Sequence, residues 1–132
     1  MRLNYTILTC VLLLLATAGC SSNSGEGYNE ISVGEVRKMI ESEDESVFLL
    51  DVRTLEEYYG DLGHLPKATL IPYNDVESRI AELSEYKDKK IIAYCRAGRR
   101  SAIASKILAD NGFDAFNMTG GMKKWKDEYP NY

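Results

Sequence analysis

The stretch Lys90–Ser101 most constrains how this chain can fold. Lys90-Ile91-Ile92-Ala93-Tyr94 is an apolar run short enough for a buried strand. It stops at Cys95-Arg96-Ala97-Gly98-Arg99-Arg100, after which Ser101-Ala102-Ile103-Ala104-Ser105-Lys106-Ile107-Leu108-Ala109 takes up a helical pattern. A buried strand that passes through a short loop into a helix belongs to α/β architecture, with parallel strands and helices laid over the sheet. Ligands of such sheets bind beyond the carboxyl ends of the strands, which is where this loop falls.

The rest of the chain repeats the alternation. Ser32-Val33-Gly34-Glu35 reads as a capping box, followed by Val36, Met39 and Ile40 at helical spacing. Val47-Phe48-Leu49-Leu50 is another buried strand, and Thr54-Leu55-Glu56-Glu57 is a second capping box, opening a short helix that ends near Gly60. Thr69-Leu70-Ile71 predicts a brief strand stopped by Pro72, and Val76, Ile80 and Leu83 predict an amphipathic helix capped by Asn74 or Asp75. Asn111-Gly112 supplies a helix C-cap, and Ala115-Phe116-Asn117-Met118 a strand. Thr119-Gly120-Gly121 then turns into a last helix, anchored in the core by Trp125 and ended by Pro130. Residues 28–132 are therefore expected to form a single α/β domain around a mainly parallel sheet.

Within that frame Cys95 is the candidate nucleophile. It stands before a helix N-terminus, where orphan N–H groups and a partial positive charge favour anions, and a thiolate is the reactive form of cysteine. A helix terminus contributes roughly 0.3–2 kcal/mol and one pKa unit is worth about 1.4 kcal/mol, so the terminus alone lowers a thiol by about one unit. An arginine at 4 Å adds more, because two charges near a surface interact by about 4 kcal/mol. Three arginines within five positions of the thiol, Arg96, Arg99 and Arg100, mark an anion site. The plainer alternative is a buried structural cysteine with a solvated basic loop, and the crowding of arginine argues against it.

The N-terminal residues form a separate unit. Met1-Arg2, the apolar Ile7–Ala18 and the small residues Ala18-Gly19 have the layout of a signal peptide over residues 1–19, and the apolar stretch is shorter than the ~20 residues of a membrane span. With Cys20 directly after Ala18-Gly19, the segment resembles a bacterial lipoprotein signal, although Thr17 stands where leucine is usual. That resemblance implies lipidation of Cys20, with residues 20–27 as a Gly/Ser-rich tether. It also implies anchoring at the cell envelope, facing the periplasm from the outer membrane in a two-membrane host, because Ser21 is not aspartate. Of three cysteines, Cys10 leaves with the leader and Cys20 takes the lipid, so Cys95 has no intramolecular disulfide partner in an oxidising compartment.

Removing 19 of 132 residues leaves 113, enough for one domain. Arg2 goes with the leader, taking 16 basic residues to 15 against 20 acidic, a net charge of −5. Such a balance excludes nucleic acid as a natural partner and makes the basic cluster at 96–100 a local exception. A monomer is expected.

Four landmarks in order resemble the rhodanese family of sulfurtransferases across residues 28–130. They are Asp51-Val52-Arg53; Glu57-Tyr58 with Gly63-His64-Leu65-Pro66-Lys67-Ala68; the Cys95–Ser101 loop; and Gly120-Gly121 with Trp125. Lys67 departs from the glycine usual in the family, and Gly60-Asp61-Leu62 is an unusual approach to Gly63. The resemblance implies a five-stranded parallel sheet ordered 1-5-4-2-3 with helices on both faces. It implies a Cys95 persulfide formed from thiosulfate or a similar anionic donor, then passed to a thiol or to cyanide. It further implies a substrate loop of Arg96, Ala97, Gly98, Arg99, Arg100 and Ser101, whose amides ring the persulfide while Arg96 and Arg100 hold the donor. Asp51 and Arg53 would brace the loop, His64 would hold its turn by hydrogen bonding, and no metal or organic cofactor is called for.

Two other readings use the same loop. Cysteine phosphatases and arsenate reductases need five residues between cysteine and arginine, whereas Arg100 follows Cys95 after four and Ser101 occupies the required place; Tyr94 also stands where the main phosphatase class has histidine. A persulfide carrier, a sulfide sensor or a docking module would keep the loop without turnover.

Overall fold

The computed structural model describes residues 27–132. The expected leader at 1–19, Cys10, Cys20 and all of the tether except Gly27 lie outside the described residues. In chain order the elements are β1 (Asn29–Ile31), α1 (Val33–Glu41), β2 (Val47–Asp51), α2 (Leu55–Tyr58), β3 (Thr69–Leu70), β4 (Lys90–Tyr94), α3 (Arg99–Asp110), β5 (Asp114–Met118) and α4 (Gly121–Glu128). The sheet is parallel throughout and ordered β1-β5-β4-β2-β3, the order implied by the family resemblance.

Both capping boxes form. Ser32 Oγ accepts from the Glu35 amide and Glu35 accepts from the Ser32 amide; Thr54 and Glu57 do the same at α2. These reciprocal bonds satisfy amides that a helix start otherwise leaves orphaned. The Gly112 φ of +81° follows the Asn111 C-cap of α3 as expected.

Side-chain alternation along the central strand divides the core. Ile91, Ala93 and Cys95 face a cluster with Leu50, Ala104 and Leu108, beneath α3. Ile92 and Tyr94 face the opposite cluster with Leu65, Met122 and Trp125, beneath α1 and α4. Period-two alternation thus puts the thiol under α3 and the Tyr94 ring on the other side of the sheet. Trp125 is buried, as expected of a core anchor.

Two local expectations are corrected. The segment after Pro72 is not an amphipathic α-helix but two 3-10 stretches, Tyr73–Asp75 and Ile80–Tyr86, and neither Asn74 nor Asp75 caps it. Ile80, Leu83 and Tyr86 lie three apart, the spacing that shares one face of a 3-10 helix. The Ser78 and Ser84 hydroxyls also bond the carbonyls of Asp75 and Ala81, a local competition that weakens α-helix. The second correction is β1, which the sequence reading did not find. Only Ile31 of its three residues is buried, and its pairing depends on β5, some 87 positions away.

Candidate active site

Cys95 begins where β4 ends, and the backbone around it is arranged by two glycines. Gly98 adopts φ +104° as the residue before α3, a conformation that strains any other residue. No side chain caps α3 there, so its first amides are available to the thiol. The Gly98 amide donates to Cys95 Sγ at 3.1 Å, and the Ser101 hydroxyl lies 3.4 Å from the same atom. On the opposite side the α4 N-terminus turns its own amides toward the loop: Met122 donates to the Cys95 carbonyl at 2.9 Å and Lys123 to the Arg96 carbonyl at 3.0 Å. This contact requires glycine at 121, where a Cβ would stand 2.5 Å from the Cys95 carbonyl oxygen. The Gly-Gly of the C-terminal signature therefore holds the loop's carbonyls away from the sulfur and leaves its amides facing it.

Cys95 is 1% exposed. Burial pushes its thiol up, but the Ser101 hydroxyl and the amides of Ser101, Gly98 and Ala97 outweigh burial and hold it below the ordinary thiol value. Hydrogen bonds to the charged form thus outweigh desolvation. Among the groups that lower the thiol the hydroxyl and amides come first, and Arg100, emphasised by the sequence, also interacts with Cys95 by charge and hydrogen bond.

The loop arginines fall into two settings, paired and exposed. Arg100 forms a two-pronged pair with Glu57, Nη1 and Nη2 each 2.7 Å from a carboxylate oxygen, so its fork is already occupied. That partner is held at about pKa 2, first by the Arg100 hydrogen bonds, which overcome burial. Arg96 and Arg99 are exposed and make no ion pair among the described residues. Arg96 lines a cleft of about 420 Å³ with Arg53, Glu56, Glu57, Gly60, Asp61 and Leu62. The structure therefore leaves Arg96 open to an anion and ties Arg100 to α2.

Asp51 and Arg53 lie at the end of β2, beside β4. They form a buried pair, Nη2 to Oδ2 at 2.6 Å, and Nη2 also donates to the Gly63 carbonyl at 2.7 Å. Their bracing reaches the Gly63–Leu65 turn, where the Leu65 amide also donates to Tyr94 Oη at 3.1 Å; it meets the Cys95 loop through Tyr94. His64 stacks on Tyr58 with ring centroids 3.8 Å apart, and its Nδ1 lies 3.0 Å from the Leu65 carbonyl. Lys67 stands at φ +58°, left-handed backbone at the position where glycine is usual.

Three residues at the site have contacts that the sequence did not assign. Glu57, read as a helix cap and as part of the Glu57-Tyr58 landmark, also fastens Arg100. Asn117 accepts from Ser101 at 2.6 Å and is in turn held by Glu30. The one available signal for Asn117 was a polar side chain inside the apolar run 115–118; Glu30 carried none. Among the described residues no cluster of three or more His, Cys, Asp or Glu is placed to hold a metal ion. A larger groove of about 800 Å³ lies at the amino ends of β2 and β3, between Met39 and Lys89. It has no cysteine, histidine or arginine in its lining, whereas the smaller cleft is lined by Arg53 and by Arg96, the residue that follows Cys95 in the loop.

Comparison with known proteins gives consistent matches. The family model described as a Rhodanese-like domain matches residues 32–128. YrkF of Bacillus subtilis, provisionally named a sulfur carrier protein, is 38% identical over 106 residues, covering 80% of this chain and 55% of YrkF. The chain thus spans just over half of that relative's length. YtwF of the same organism, provisionally named a sulfurtransferase, is 37% identical over 99 residues, covering 75% of the chain and 91% of YtwF. The thiosulfate sulfurtransferase PspE of Escherichia coli is 36% identical over 74 residues, covering 56% of the chain and 69% of PspE. The crystal structure of a rhodanese-like domain protein from Staphylococcus aureus superposes with a TM-score of 0.65 at 33% identity, covering 73% of this chain and 89% of that one.

Proposed function

The chain belongs to the rhodanese-like domain family, and from that premise we propose that it moves sulfane sulfur from an anionic donor such as thiosulfate to a thiophilic acceptor through a persulfide on Cys95. The observation that carries this reading is the buried Cys95 sulfur, bonded by the Gly98 amide at 3.1 Å and held below its ordinary pKa by amides and a hydroxyl. In the first step the Cys95 thiolate attacks the outer sulfur of thiosulfate. The new S–S bond forms on Cys95, the donor's S–S bond breaks, and sulfite departs with the bonding pair. In the second step an acceptor thiolate attacks the outer persulfide sulfur, and Cys95 leaves as thiolate. The loop amides stabilise the anion at each stage, and Arg96 pairs with the incoming donor. The name of PspE supports thiosulfate as donor.

Steady-state assay with thiosulfate and cyanide tests the proposal: thiocyanate forms with wild-type protein and not with Cys95→Ser. Absence of turnover with every donor and acceptor tried, despite stoichiometric loading of Cys95, would favour a carrier, the reading supported by the name of YrkF.

Location forms the second part of the proposal. Residues 1–19 and Cys20 support export and lipidation, holding the domain at the cell envelope through the tether at 20–27. Metabolic labelling with a fatty-acid probe should mark the wild-type chain and miss Cys20→Ala; equal labelling of both contradicts it.

A further inference from the structure

A chain of polar side chains crosses the sheet edge to reach the reactive sulfur. Glu30 on β1 accepts from Asn117 Nδ2 at 3.1 and 3.3 Å and from Thr119 Oγ1 at 3.0 Å. Ser101 Oγ lies 2.6 Å from Asn117 Oδ1, 3.2 Å from the Gly98 carbonyl and 3.4 Å from Cys95 Sγ. Ser101 is fully buried and Asn117 is 5% exposed, so water does not readily replace these bonds.

Donor and acceptor counting fixes the direction of every link. A carboxylate only accepts, so the Glu30 contact turns the NH2 of Asn117 toward β1 and its oxygen toward Ser101. That oxygen also only accepts, so the single Ser101 proton is drawn to Asn117 at the shorter distance. The neutral thiol can then donate its own proton to Ser101 Oγ. Once Cys95 ionises, the sulfur needs that hydroxyl proton, and Asn117 at 2.6 Å competes for it more closely than the Gly98 carbonyl at 3.2 Å.

We propose that Asn117, oriented by Glu30, is a positioning residue that withholds the Ser101 hydroxyl proton from Cys95 Sγ until the sulfur carries charge. The proton follows the sulfur load. It turns to Sγ in the free thiolate and returns to Asn117 when the charge moves to the outer atom of the persulfide. The charged groups set against the thiol are the loop's Arg96 and Arg99, Arg100 at the start of α3 with its Glu57 partner on α2, and Glu30 at the far end of the chain. The inference rests on Cys95 as the reacting thiol, and its test is independent of turnover.

Alkylation of Cys95 by iodoacetamide, followed against pH on the full-length protein, reads the thiolate directly. Ser101→Ala slows the reaction below the thiol pKa. Asn117→Ala speeds it about five-fold, the equilibrium effect of one net hydrogen bond released to sulfur. The double variant Asn117→Ala/Ser101→Ala matches Ser101→Ala alone, because Asn117 acts only through the hydroxyl. Glu30→Ala, at an exposed position that does not depend on the core, frees the amide to turn and also speeds alkylation; Glu30→Gln keeps an acceptor for Nδ2 and restores the wild-type rate. Unchanged or slower alkylation in both Asn117→Ala and Glu30→Ala overturns the proposal. So does Glu30→Gln matching Glu30→Ala, since charge rather than orientation would then be acting. The predicted order of rates with no sulfur loading of Cys95 would overturn the sulfur-transfer reading, and with it the persulfide half of this cycle, and leave the competition of Asn117 with Cys95 for the Ser101 proton standing.

Discussion

The carboxyl ends of β2 and β4 are neighbours in the sheet, each carries an anion, and each satisfies it differently. At β2 the anion is Asp51, and a guanidinium from within the fold meets it: Arg53 is 1% exposed and bonded to both carboxylate oxygens. At β4 the anion is the Cys95 sulfur once the thiol ionises, met by amides, one hydroxyl and the nearby Arg100, while Arg96 and Arg99 stay exposed. Arginine spent on an internal carboxylate serves the fold, and arginine left at the surface is open to an exogenous anion. Sequence alone shows arginine beside both strand ends; the structure separates the two uses.

The largest expected effect is on the β4 side. Cys95→Ser abolishes sulfur transfer and leaves the thermal unfolding midpoint close to wild type; a fall in that midpoint matching the β2-side change below would erase the contrast. Next comes Arg53→Ala, which strands Asp51 as a buried charge and costs about 3–5 kcal/mol in denaturant unfolding. The counterpart Arg96→Ala changes stability by less than about 0.5 kcal/mol and raises the KM for an anionic donor. Equal stability losses in these two variants would break the comparison.

Gly121→Ala tests the backbone that aims the amides at sulfur. Its Cβ meets the Cys95 carbonyl at 2.5 Å, at a φ of +59°, so about 1–3 kcal/mol of stability is lost, together with sulfur-transfer rate. Rate unchanged at reduced stability would show that the α4 contact serves the fold only. Glu57→Gln sharpens the division between α2 and the loop. The Glu57 carboxyl falls from 4.5 to about 2 in the folded protein, so its contribution is present above pH 4.5 and is lost as pH drops through about 2. The variant is expected to be about 1–2 kcal/mol less stable near neutrality and to converge on wild type toward pH 2. A constant difference across that window would assign the loss to packing.

How much of this was legible in the sequence follows from the range of each interaction. Four of the five strands were readable because each carries its own apolar run. Strand β1 was not, since Asn29-Glu30-Ile31 becomes a strand only by pairing with β5. The Cys95 loop was readable because its residues are contiguous, and both capping boxes because their partners lie three apart. The tie of Arg100 to Glu57 spans 43 positions and the tie of Asn117 to Glu30 spans 87, and no local pattern reports either. Lys67 is the intermediate case: the sequence marked a residue out of place, and the structure shows left-handed backbone there. The smallest expected effect belongs to it. Lys67→Gly stabilises the turn by about 0.5 kcal/mol, the left-handed penalty relieved less the added chain entropy of glycine; a loss in chemical denaturation would show that the lysine side chain holds the turn.

The most direct measurement is mass spectrometry of the protein after brief exposure to thiosulfate, with sulfite assayed in the same sample. The account predicts one added sulfur atom on the peptide bearing Cys95, an equimolar release of sulfite, and loss of the adduct to an added thiol. An unmodified Cys95 with no sulfite, or sulfur found on another residue, would contradict it.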